Sequence, residues 1–381
     1  MEDRFATRAC HAGREDFTEI GVHAPPLDLS TTYPTPDLDA AARSFDSLVA
    51  GDDPQGSFVY QRLFNPTTDR FERALAQLEG AEDAAAFASG MAAFTAVLLA
   101  AKSRGSHVVG VRPIYGTADH LLSSGLLGLT VTWTTQDEVA AAMRPDTALV
   151  VIETPANPTL DLVDIASVVR QAGKVPVCVD STFATPVLQR PLAKGLGAAL
   201  VIHSATKFLG GHGDVLAGVV AGSHALIREI KHVRVATGSL LHPLGSYMLH
   251  RGLPTLELRV ERAQATAQVL AERLAEDPRI ARIHFPGLAG QDPRGLLGEN
   301  AQMRGPGSVM SFELASDDPA VMRAFVGGLR LITPAVSLGS TDSLIQPPAV
   351  LTHRVVDEKA RDVTGITGGL LRLSIGLEDV R

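Results

Sequence analysis

Between residues 56 and 235 the chain alternates short, unbroken apolar runs with longer stretches of mixed polarity. The runs SHVVGVR, LTVTW, ALVVIE, VPVCVD, ALVIH and LAGVVA are too short for helices and apolar at consecutive positions, the pattern of strands covered on both faces. Helical stretches between them predict a largely parallel sheet with helices packed on both sides. After Pro254 the period changes. Leu256, Val260, Ala263, Ala267, Leu270 and Leu274 recur at steps of three and four, which predicts one long amphipathic helix. It leads into a tail with fewer strands, GSVMSFEL and LLRLSIGL, read as a smaller α+β domain. Ahead of residue 56, HAPPLDLSTTYPTPD is proline-rich and aperiodic, so this segment reads as an arm that packs on something else. The expected division is an arm over 1–55, an α/β domain over 56–235 and an α+β domain over 236–381, with no internal repeat.

One segment imitates a membrane span. Residues 84–101, AAAFASGMAAFTAVLLAA, carry no charge and approach the length that crosses a bilayer. The stretch is mostly alanine, however, and Ser89-Gly90 interrupts it where a strand-to-helix turn would fall, so a buried helix starting near Gly90 is expected.

The 381 residues, 45% hydrophobic and 20% charged, suffice for about two domains and a large core. A formal charge of −8 argues against nucleic-acid or anionic-membrane partners, which favour basic faces, and points to a small-molecule ligand. Cys10 and Cys178 are far apart, and Cys178 sits inside an apolar run as a small hydrophobe. With the charged start MEDRFATRACHAG, this composition leads us to expect a cytoplasmic protein.

The candidate chemistry clusters at strand ends. In open α/β sheets ligands bind beyond the carboxyl ends of the strands, where loops present side chains and helix N-termini point into the crevice. Ser89-Gly90-Met91 open a helix there, ETPANP (Glu153 to Pro158) follows a strand, Asp180 ends another, and HSATKFLGGHGD places Lys207 after a third. Together they describe a site for an anionic ring cofactor bearing an aldehyde. Backbone N–H groups of Gly90 and Met91, with the hydroxyls of Ser204 and Thr206, suit a phosphate. Asp180 suits a protonated pyridine nitrogen, and Lys207 the imine to the aldehyde. Arg372 is odd within an apolar strand, since burying a guanidinium without a partner is expensive; a bidentate carboxylate would satisfy it, as would a structural ion pair. Metal ligation by His203, His212 and Asp214 is the weaker reading of their segment, and no GxGxxG follows the first strand to support a nicotinamide site.

These segments, with TRACHAG, YQRLFNPT, YGT, DSTFATP, VSLG, PPAVLTH and LLRLSIGLED, resemble in order and along nearly the whole chain the Cys/Met-metabolism family of pyridoxal-phosphate (PLP) enzymes of fold type I. The resemblance implies an α/β fold with a mostly parallel seven-stranded sheet flanked by helices. It implies Tyr115 stacked on the cofactor and donating a proton to a leaving sulfur, and Asn157 bonded to the ring hydroxyl. Tyr60 and Arg62 would reach a neighbouring subunit's phosphate, as part of an arm that serves that subunit. Arg372, helped by Ser337 and Thr352, would hold a substrate α-carboxylate. The implied assembly is a homotetramer built as a dimer of dimers. The implied chemistry is carbon–sulfur cleavage of a sulfur amino acid. Val336, where relatives acting on cystathionine tend to carry glutamate, favours α,γ-elimination of methionine. Cystathionine cleavage or synthesis, and sulfhydrylation of an O-acylhomoserine, remain the alternatives. Thr117, Arg234, Val235, Pro347 and Leu351 depart from what many relatives carry at the substrate end.

Overall fold

The computed structural model describes residues 4–316 and 318–381. Its central sheet has seven strands: β1 (Asp83–Phe87), β2 (His107–Val111), β3 (Thr130–Thr134), β4 (Thr147–Glu153), β5 (Val177–Asp180), β6 (Leu200–His203) and β7 (Gly218–Gly222). They lie in the order β1-β7-β6-β5-β4-β2-β3. β7 runs antiparallel to both its neighbours, and the other pairs are parallel. Four of the apolar runs are buried on both faces, as continuous hydrophobicity predicts, since β2, β4, β6 and β7 are buried throughout; LTVTW departs from that expectation, because β3 is an edge strand and only partly covered. Cys178 is fully buried in β5.

The alanine-rich segment resolves into β1 and the helix Gly90–Ala101, divided at Ser89, whose hydroxyl caps the helix by accepting from Ala92 N–H at 3.0 Å. Among the described residues no helix is long and apolar enough to cross a membrane. A helix does span Leu256–Ala275, with Val260, Ala263, Ala267 and Ala271 buried along one stripe.

Beyond it lies a second sheet of five strands: β8 (Ile280–His284), β9 (Val309–Leu314), β10 (Thr333–Pro334), β11 (Leu344–Gln346) and β12 (Leu370–Ser374), in the order β10-β11-β12-β9-β8. β8, β10 and β11 are more than the two runs visible in the sequence. The N-terminal segment is also more ordered than its composition suggests. Phe5–His11 is helical, and Asp16 accepts both guanidinium nitrogens of Arg70 at 2.6 and 2.8 Å. Leu38–Ala50 forms a 13-residue helix capped by Asp37 and ended by Gly51 in the left-handed conformation.

Candidate active site

The carboxyl ends of β4, β5 and β6 open into a cavity of about 660 Å³ whose far wall comes from the second sheet and its loops. It gathers Lys207, Tyr115, Asp180, Gly90, Met91, Asn157, Ser204, Thr206, Arg372, Ser337, Thr352, Val336 and Thr117. Tyr60 and Arg62 do not line it. Arg62 donates to the carbonyl of Val235 at 2.8 Å and its guanidinium lies 5.7 Å from the Tyr60 ring centroid, with Tyr60 exposed. Arg234 is likewise directed elsewhere, into a buried ion pair with Glu72.

Lys207 follows β6 and donates from Nζ to Ser337 Oγ at 2.6 Å. Burial, with Arg372 nearby, brings its amine down to about 8, so a reactive neutral fraction exists near neutral pH. Asp180 ends β5. Its Oδ1 accepts from both Thr182 N–H (3.0 Å) and Thr182 Oγ1 (2.5 Å), while Thr182 Oγ1 accepts in turn from Ser204 N–H at 2.9 Å. Burial pushes the Asp180 carboxyl up, partly offset by Thr182 and His203.

Glu153 stands opposite Asp180 in the β4–β5 register. It accepts the backbone N–H of Tyr115 at 2.7 Å and of Asn157 at 3.0 Å, and burial together with Asp180 pushes it well above the usual carboxylate range. His203 is bonded to Glu79, with Nε2 2.6 Å from Oε1, and His212 Nδ1 lies 2.7 Å from the Gly210 carbonyl.

Arg372, 3% exposed on β12, donates to Asn157 Oδ1 at 3.0 Å and to the Ser337 carbonyl at 2.9 Å. Both partners are neutral, and its Nε has none. Among the described residues no carboxylate forms a salt bridge with it, so the ion-pair alternative finds no partner among them. Burial lowers this guanidinium to about 10. A buried cation with an unused donor beside a cavity is an expensive arrangement that an incoming carboxylate relieves.

The turn between β1 and the helix that starts at Gly90 is tightly built. A Cβ added to Gly90 would stand 3.0 Å from Ser204 Cβ, and one added to Gly218 only 2.3 Å from the Ser89 carbonyl, so glycine alone lets these backbones approach. Gly90 and Met91 N–H, at the helix start, have no acceptor within the helix. Thr206 is less free: its hydroxyl donates to the Ala217 carbonyl at 3.1 Å and accepts from Ala217 N–H at 2.9 Å. The donor set, the acid facing the ring position, the buried lysine and the unused guanidinium nitrogen fit pyridoxal phosphate and an amino-acid carboxylate.

Charge is confined to the inner part. Glu153, Asp180, Lys207 and Arg372 are the charged residues lining the cavity, whereas its exposed rim is Leu216, Val336, Leu351 and Val355. Sequence reasoning passed over Glu153 as a site residue and gave Thr182, Leu216 and Val355 no role. Glu153 was visible only as the first letter of ETPANP, whose function depends on where two backbone N–H groups fall.

Comparison with known proteins agrees with this geometry. The model of the family described as Cys/Met metabolism PLP-dependent enzyme matches residues 6–381. L-methionine gamma-lyase of Brevibacterium sandarakinum is 54% identical over 98% of this chain and 94% of its own length. That of Pseudomonas putida is 42% identical over 99% and 94%. Among solved structures, cystathionine gamma-synthase from Xanthomonas oryzae pv. oryzae, in complex with aminoacrylate and cysteine, has a TM-score of 0.89 at 34% identity, covering 100% of this chain and 95% of that one. A cystathionine gamma-lyase from Micromonospora echinospora has a TM-score of 0.87 at 39% identity, covering 99% and 96%.

Proposed function

The chain belongs to the Cys/Met metabolism PLP-dependent enzymes, and from that premise we propose that it cleaves the Cγ–S bond of L-methionine, converting methionine and water to methanethiol, 2-oxobutanoate and ammonia. The observation that carries this choice is the uncharged rim of the cavity, Leu216, Val336, Leu351 and Val355. A methyl thioether loses little by lying against such a wall, whereas the distal ammonium and carboxylate of cystathionine would find no charged partner on it. The identity to methionine gamma-lyases supports the same choice.

Pyridoxal phosphate, when bound, supplies an electron sink conjugated to the substrate α-carbon. In this reading Gly90, Met91 and Ser204 would hold its phosphate, joined by Thr206 once its hydroxyl turns from the Ala217 carbonyl, Asp180 would hold its ring nitrogen, Asn157 its ring hydroxyl, and Tyr115 would stack on the ring. Lys207 would be the residue to which the cofactor attaches, and its free amine would serve as the base for the substrate Cα proton. Arg372 would take the α-carboxylate through guanidinium N–H groups left over from its bonds to Asn157 and the Ser337 carbonyl, with Ser337 and Thr352 beside it. Tyr115 gives its hydroxyl proton to the departing sulfur, and Thr117 and Val336 border the thioether.

Tyr60 and Arg62 lie outside their own cavity, which fits donation to a second copy's phosphate and makes a dimer the working unit, two dimers forming a tetramer. The unpaired Cys10 and Cys178 suit a reducing cytoplasm. Keto-acid release from methionine, cystathionine and O-acetylhomoserine tests the substrate. Methionine is expected to be turned over fastest, and far faster release from cystathionine would sink the choice.

The structural likeness to cystathionine enzymes keeps a second reading in view. It requires a group able to meet the distal ammonium, and Val336 offers none.

A further inference from the structure

The peptide unit between Ile114 and Tyr115 is held at both ends by buried side chains from different parts of the chain. Its N–H donates to Glu153 Oε2 at 2.7 Å, from the end of β4, and its C=O faces His353 Nε2 at 3.3 Å, from the loop after β11. Burial and the neighbouring Arg372 bring His353 down to about 4, so at pH 7 the ring is neutral with one N–H. The carbonyl opposite Nε2 requires the proton there, which leaves Nδ1 to accept from Thr352 Oγ1 at 3.2 Å. Thr352 Oγ1 accepts in turn from Gln346 Nε2 at 3.0 Å, and Gln346 pairs with Arg372 across β11 and β12. A directional chain thus runs from the strand beside the carboxylate-binding arginine to the backbone of Tyr115.

Packing leads to the same junction. A Cβ added to Gly116 would stand 2.4 Å from the Thr352 carbonyl, so the 352–353 segment is seated directly on the turn that carries Tyr115. Neither His353 nor Glu153 has a part in the proton transfers described above.

We propose that His353 and Glu153 are positioning residues that clamp the Ile114–Tyr115 peptide from its two ends, and that through Thr352 the clamp ties the place of the Tyr115 ring to the carboxylate side of the cavity. The proposal rests on the role given to Tyr115 under the proposed function. The clamp makes the carboxylate subsite and the sulfur-protonating group one mechanical unit, so that small errors in ring placement reach the rate.

The test uses the PLP-loaded enzyme and compares His353→Gln with His353→Asn. Glutamine places a donor near the position of Nε2 and asparagine one near Nδ1, so only the first can still reach the Ile114 carbonyl. For His353→Asn we expect kcat on methionine to fall by about tenfold or more, together with a changed circular-dichroism band of the bound cofactor. For His353→Gln both return to within about threefold of the parent. Equal behaviour of the two variants, whether both active or both impaired, overturns the clamp. If neither His353 variant folds, Glu153→Gln, which loses one of two acceptors, must change the same band, and an unchanged band overturns the proposal. A parent enzyme inactive on methionine and the other two substrates refutes the proposed function, while the cofactor band still reports on the clamp.

Discussion

Lys207 Nζ donates to Ser337 Oγ at 2.6 Å, and Ser337 makes this contact from a left-handed backbone with φ of 86°. A serine seldom adopts that conformation, and it persists here because the same residue's carbonyl also takes a donor of Arg372. One strained residue therefore links Lys207 to Arg372. Ser337→Ala removes a hydrogen bond to a charged group, of the kind that contributes roughly 1.5–3 kcal/mol, and should lower kcat on methionine about tenfold. Initial rates at saturating substrate check it, and an unchanged kcat contradicts the role.

The depressed amine of Lys207 sets a pH dependence. Only the neutral amine attacks an aldehyde, and with the amine at about 8 its fraction grows as pH rises toward 8 and saturates above it. The rate at which apoenzyme captures added pyridoxal phosphate should therefore rise about tenfold per pH unit below 8 and level off beyond. Absorbance-followed capture between pH 6 and 10 reads this directly. Lys207→Ala should show no protein-bound visible band without added amine.

Arg372→Lys keeps the charge and loses the planar fork. A single ammonium cannot bind a carboxylate in two parallel bonds while also bonding Asn157 and the Ser337 carbonyl, so KM for methionine should rise on the order of 100-fold. The cofactor band should remain. An unchanged KM would mean that the carboxylate binds elsewhere.

Val336→Glu places an acid on the uncharged rim. The ratio of kcat/KM for methionine to that for cystathionine should fall on the order of 100-fold, because the acid meets the distal ammonium and disfavours the bare thioether. Competition between the two substrates at equal concentration measures that ratio.

Much of this architecture was legible in the chain. Each of the six apolar runs overlaps a strand of the large sheet to within one residue of the strand's ends, and Ser89-Gly90 marks the join of β1 to its helix because a capping hydroxyl and a glycine there leave little alternative. The helix Leu38–Ala50 escaped notice because one of its three buried positions is Ser44, whose hydroxyl donates to the Ser57 carbonyl, so its inner face does not read as apolar. β10 and β11 escaped because two and three residues carry no periodicity. At the site, residue types announced most of the polar groups that line the cavity, and also Tyr60 and Arg62, which do not line it. The same residue types were silent on Thr182 and His353, whose importance lies in which neighbours the fold brings within hydrogen-bond reach, and they assigned the Thr206 hydroxyl to a phosphate without showing that the fold engages it with Ala217.

Glu153 and Asp180 stand at matched positions on adjacent strands, both pushed toward protonation by burial, and the Asp180 carboxylate adds to the push on Glu153. Until a cationic ring arrives, the middle of the sheet ends in two acids that resist ionising together. Vitamin B6 would then act as the missing counterion of the fold, and its scarcity would shorten the life of the polypeptide by favouring proteolysis of the empty form as well as silencing catalysis.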